Sequence, residues 1–108
     1  MPSQQAVVVV ATFAVKPESM DTVREVCTRA IAAVHEEPGC DLYALHEGKN
    51  TFVFIEQWAD AEALQTHSAA PAVTGMFAEI APHLDGAPDI KMLQATPAGD
   101  PAKGTLRR

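Results

Sequence analysis

Phe52-Val53-Phe54-Ile55-Glu56-Gln57-Trp58, followed at once by Asp60-Ala61-Glu62-Ala63-Leu64 and then His67, changes period within two residues. Its alternating aromatic and aliphatic residues define a β-strand that is apolar on both faces until Glu56, and Asp60 then offers an oxygen to the free amides of a helix start. Side chains alternate along a strand, so Phe52, Phe54, Glu56 and Trp58 share one face. A carboxylate among aromatic rings is costly unless it is paired or lies beside an opening. His67, one short element further on, can bring an imidazole to the same end of the sheet.

Upstream, Cys40 to Glu47 reads as another strand, joined to this one through Gly48-Lys49-Asn50. So short a connection predicts an antiparallel hairpin, with Gly48-Lys49 or Lys49-Asn50 at the turn. Val7 to Val15 is rich in β-branched residues and predicts a strand covered on both sides. Lys16-Pro17-Glu18-Ser19 then starts a helix in which Met20, Val23, Cys27, Ala30, Ile31 and Val34 form one stripe, up to about Glu37, before Pro38-Gly39 ends it. A second helical region runs from Ala61 to about Ala69, breaks near Pro71 and resumes through Val73, Met76, Phe77 and Ile80. Asp89 to Thr96 reads as a last strand.

The order β-α-β-β-α-β predicts an α+β, ferredoxin-like split arrangement: a four-stranded antiparallel sheet carrying two helices on one face. Large apolar side chains on both faces of Val7–Val10 and Phe52–Ile55 also ask for cover on the other face. A second copy of the chain is expected to supply it, as a homodimer through the sheet faces with one barrel-like centre. Residues 1–96 form the expected single domain, and residues 97–108 a flexible tail.

A chain of 108 residues holds one core, and 47% hydrophobic with 20% charged residues is a globular composition. The net charge of -6 comes with no basic stripe, which argues against nucleic acid, and the apolar run after Ala6 is too short to span a bilayer, which argues against a membrane. Two cysteines and no signal-peptide pattern predict a cytoplasmic protein with reduced thiols. The glycines are isolated, so there is no dinucleotide or Walker-type loop, and His35, His46, His67 and His83 lack metal-ligand spacing.

The valine-rich first strand, the helix closed by Glu37-Pro38-Gly39-Cys40, the strand end Phe54 to Trp58, the helix start Asp60 to Leu64, and His67 ahead of Pro71 together resemble the antibiotic biosynthesis monooxygenase family. Within it, the chain is similar to the small stand-alone quinol monooxygenase group, over roughly Val7 to Thr96. The resemblance implies a dimeric α+β barrel with a pocket between sheet and helices in each subunit. It also implies oxidation of a small electron-rich aromatic compound, a quinol or a polyketide-like ring, by dioxygen with no flavin, haem or metal. The alternative is a protein that binds a small aromatic ligand in the same pocket without turning it over. The haem-degrading branch is known for a first-strand asparagine and for a tryptophan and a later histidine on the second helix. Here Thr12, His67 and Met76-Phe77 stand in those places, so that chemistry is not expected.

Three residues are candidates for catalysis. His67 can accept a phenolic proton near neutral pH. Glu56 can orient His67, accept an amide or move a proton itself, and Tyr43 can donate to a substrate oxygen or serve an interface. Trp58, Phe13, Phe52, Phe54, Met76 and Phe77 are candidate walls of an aromatic pocket, or simply packed core. His35 and His83 lie beside helix ends, where terminal carbonyls can hold them, and His46 lies close to the hairpin.

Overall fold

The computed structural model describes residues 5–106; Met1 to Gln4 and the last two residues of the expected tail, Arg107 and Arg108, lie outside the described residues. Its strands are β1 (Val7–Ala14), β2 (Cys40–Gly48), β3 (Thr51–Trp58) and β4 (Asp89–Leu93), and its helices α1 (Met20–His35), α2 (Ala61–Ala69) and α3 (Pro71–Ile80). They build one antiparallel sheet in the order β2-β3-β1-β4. This is the ferredoxin-like topology.

The closed, two-chain barrel expected from the sequence is not what this chain forms. Its sheet is open, with β2 and β4 as two separate edges. Four strands in that order leave no strand to join the edges, so the sheet lies as a layer beneath the helices. Three α-helices among the described residues cover it, because the second helical region is two pieces, as the break near Pro71 predicts: Pro71 opens the later one as its N1 residue, where its missing N–H leaves no partner unsatisfied.

Gly48 pairs with Thr51, which puts Lys49-Asn50 at the turn, with Asn50 at a φ of 53°. β1 and β3 pair with Phe13 opposite Phe52 and Ala11 opposite Phe54, so the large rings fall on the helix side. Val23, Val26, Cys27 and Val34 of α1 and Val73, Met76 and Ile80 of α3 close over them. Of the expected α1 stripe, Met20, Ala30 and Ile31 lie half-buried at its margin, and Val26 joins the core in their place.

Burial is unequal across the sheet. Every residue of β4 is exposed, and Ile90 and Met92, which share the helix side with Ala11 and Val9, are 52% and 69% exposed. The helices thus stop short of this edge. Beyond β4, Asp100 gathers a turn: its carbonyl accepts from the amides of Lys103 and Gly104, and its side chain from that of Ala102.

Gly39 fixes how α1 leaves the helix layer. Its φ of 81° is in the left-handed region, and a Cβ there would stand 2.5 Å from the Cβ of Ala63. With the Gly39 carbonyl accepting the Ala59 amide at 2.8 Å, the end of α1 is held against the start of α2. Glu37 and His67 are brought face to face by this docking.

Candidate active site

Three elements meet at the Trp58 end of the sheet. β3 supplies Glu56, β2 supplies Tyr43 directly opposite it in register, and α2 lays His67 across both. Asp60 starts that helix by accepting the amide of Ala63 at 2.8 Å, and His67 falls in its last turn. The imidazole stacks on Trp58, with ring centroids 4.3 Å apart and planes tilted by 31°, and meets Tyr43 edge-on at 5.4 Å.

Both imidazole nitrogens have carboxylate neighbours. Nδ1 lies 2.7 Å from Glu37 Oε1, a hydrogen bond, and Nε2 lies 4.0 Å from Glu56 Oε1, beyond hydrogen-bond reach. Glu56 in turn accepts the indole N–H of Trp58 at 2.9 Å. Burial pushes the Glu56 carboxyl up to about 7, helped by the charge of Glu37 and opposed by the Trp58 bond. Near neutral pH it therefore exists in both protonation states. Burial, reinforced by the charge of Glu56, moves the Tyr43 hydroxyl well above the ordinary phenol range, so it stays protonated. That hydroxyl has no protein partner among the described residues.

These groups border a cavity of about 160 Å³ between sheet and helices. Glu56, His67 and Tyr43 line it, as do Phe13, Phe54, Met76 and Phe77. Cavities of about 150 Å³ with apolar walls take up one benzene ring, whereas drug-sized ligands need several hundred. Ala11, Leu64, Ser68, Val73 and Ile90 complete the lining, and none of these was singled out from the sequence. Ser68 spends its hydroxyl on the Leu64 carbonyl, and Ile90 brings the exposed edge of β4 to the cavity.

Two of the expected pocket walls stand elsewhere. Trp58 is fully buried behind His67 and is not part of the lining. Phe52 is equally buried nearer the hairpin, where the Arg24 guanidinium lies 5.8 Å from its ring centre. The remaining three histidines stand apart from the site: His35 bonds the Tyr43 carbonyl across to β2, His83 bonds the hydroxyl of Ser19, and His46 lies opposite Val53 toward the hairpin. Glu37 is the residue that sequence reading missed. Its signal was an acidic side chain just past the carboxyl end of a helix, where the dipole disfavours negative charge. Among the described residues no group of three or more His, Cys, Asp and Glu side chains is arranged to hold a metal ion, and no helix is long and apolar enough to cross a membrane.

The chain thus has a ferredoxin-like sheet on whose helix side a carboxyl, an imidazole and a phenol border one ring-sized cavity. The family model described as antibiotic biosynthesis monooxygenase matches residues 6–79, and the chain belongs to that family. It is 30% identical to a protein of Caulobacter crescentus CB15 provisionally named as such a monooxygenase, over 86% of this chain and 92% of that one, with a TM-score of 0.81. A second solved structure, named antibiotic biosynthesis monooxygenase, is also 30% identical, over 84% and 99% of the two chains, with a TM-score of 0.79. A conserved protein of Methanosarcina mazei Go1 shares the fold at 24% identity, over 84% and 93%, with a TM-score of 0.80. A search of curated proteins found no match.

Proposed function

We propose that this protein is a cofactor-independent monooxygenase of a single-ring quinol, working in the cytoplasm. The observation that carries the reading is the placing of a buried carboxyl, pushed up by its burial, beside an imidazole on the rim of a cavity the size of one aromatic ring. Its size favours a monocyclic hydroquinone over a multi-ring polyketide. Free Cys27 and Cys40 support a reducing compartment.

In this mechanism Phe13, Phe54, Met76 and Phe77 hold the ring. His67 Nε2 or ionised Glu56 takes a phenolic proton, and the electron-rich phenolate that results passes one electron to dioxygen. The superoxide and the ring radical combine at carbon to give a hydroperoxide. Its O–O bond breaks, one oxygen stays on the ring and the other leaves as water, so hydroquinone and dioxygen become hydroxyquinone and water. All four electrons come from the substrate. Tyr43, fixed in its protonated form, donates to a substrate oxygen and stabilises its developing charge. Trp58 acts from behind, holding Glu56 by its N–H and His67 by its ring.

A pairing of two copies through the outer sheet face is a separate part of this proposal, and in it each sheet stays open. Val8, Val10, Val53 and Ile55 support it, as an apolar face that no helix among the described residues covers.

Oxygen uptake with a monocyclic hydroquinone tests the reaction. Wild type should consume one dioxygen per hydroxyquinone formed, and His67→Ala should lose at least about 100-fold in kcat/KM. Equal rates in the two proteins would remove His67 from the mechanism. Saturable binding with no oxygen consumed would make this a ligand-binding protein instead.

A further inference from the structure

We infer that Glu37 is a positioning residue: it accepts the Nδ1–H of His67 and so leaves the Nε2 lone pair free on the cavity side. This rests on the reading of the cavity as a proton-transfer site. Imidazole carries its single neutral-state proton on one nitrogen or the other, and the partner of one nitrogen decides which. A carboxylate has no hydrogen to give, so a 2.7 Å contact to Glu37 Oε1 requires Nδ1 to be the donor. Nε2 is then the acceptor, and it is the nitrogen that lies toward Glu56.

Local structure gives Glu37 no other reason to be where it is. It follows the C-cap residue Glu36 of α1, where a negative charge faces the negative end of the helix dipole. Its side chain is only 14% exposed, so burial adds to the cost. What offsets both is the bond to His67. The backbone is built around that bond: the Glu37 carbonyl accepts the Cys40 amide, Gly39 turns through the left-handed region, and no side chain at Gly39 intervenes between this turn and Ala63 of α2. The other ionisable groups around the imidazole are Glu56 on β3 and Tyr43 on β2. Neither is within hydrogen-bond distance of Nδ1, so Glu37 alone sets the ring form.

Nitrogen-15 NMR of the histidine rings tests this at a pH where His67 is neutral. In the wild type the shifts should show the proton on Nδ1 of His67 and a bare Nε2. Glu37→Met, which keeps the length and removes the acceptor, should move the proton to Nε2 and lower kcat for the hydroquinone about 10-fold or more, with KM within about twofold. Glu37→Gln still offers an oxygen, and should retain the wild-type ring form. A wild type protonated on Nε2, an E37M ring that keeps its proton on Nδ1, or an E37Q ring that switches as E37M does would each overturn the inference. Because the wild-type spectrum is decisive by itself, a variant that fails to fold does not shelter it. A wild type with no turnover would refute the monooxygenase reading, while the ring shifts would still decide the role of Glu37.

Discussion

Replacing Glu56 by Gln should remove a pH dependence from the stability of this protein. Folding raises the Glu56 carboxyl from an ordinary 4.5 to about 7, chiefly by burial. Between those values the folded chain holds a proton that the unfolded chain has lost, so stability falls as pH rises. The contribution is fully present below about pH 4.5 and is gone once pH passes about 7. At about 1.4 kcal/mol per pH unit, the displacement corresponds to a difference of about 3 kcal/mol. Gln keeps an oxygen for the Trp58 indole and cannot ionise, so E56Q lacks this loss while every other titrating group is shared. Urea denaturation followed by Trp58 fluorescence at pH 4 and pH 8 reads it directly. The stability of E56Q relative to wild type should rise by about 3 kcal/mol between the two. A difference that stays constant within about 0.5 kcal/mol would refute the argument that this carboxyl is raised by burial.

Three further outcomes follow from the same geometry. Tyr43→Phe keeps the stack on Phe54, at 4.4 Å between ring centres, and should leave the urea midpoint nearly unchanged while lowering kcat/KM about 10-fold; an unaltered rate would exclude the hydroxyl as a donor. Gly39→Ala adds a side chain at positive φ and against Ala63, and should cost about 2–4 kcal/mol in urea denaturation, whereas a cost below about 0.5 would mean that this junction is loose. Ile55→Lys places a charge on the outer sheet face, and sedimentation should show pairs of wild-type chains but only single chains of the variant; pairing that survives it would argue against that face as the contact.

The elements were legible because each rests on local chemistry. Alternation in Phe52 to Trp58 places Glu56 with the rings, Asp60 caps the helix, and Pro71 starts a new one. The short link at Gly48 to Asn50 gives the hairpin, though only the register shows that Lys49-Asn50 are its centre. The open sheet departs from the expected barrel for a physical reason. Apolar residues on both sides of a strand say that both faces want cover, but closure depends on strand count and on which edges can meet.

The sequence by itself determined which side chains share a face, since the periods of strand and helix are properties of the backbone. It therefore put Glu56 among aromatic residues and His67 on the helix above them. Tertiary structure decided the rest. Glu37 is thirty positions from His67 and becomes its partner only because Gly39 lets two helices touch, while Trp58 and Phe52, on the same face as Phe54, are buried in the core outside the cavity lining. Contacts between distant parts of a chain depend on how its layers stack, and no local period records that.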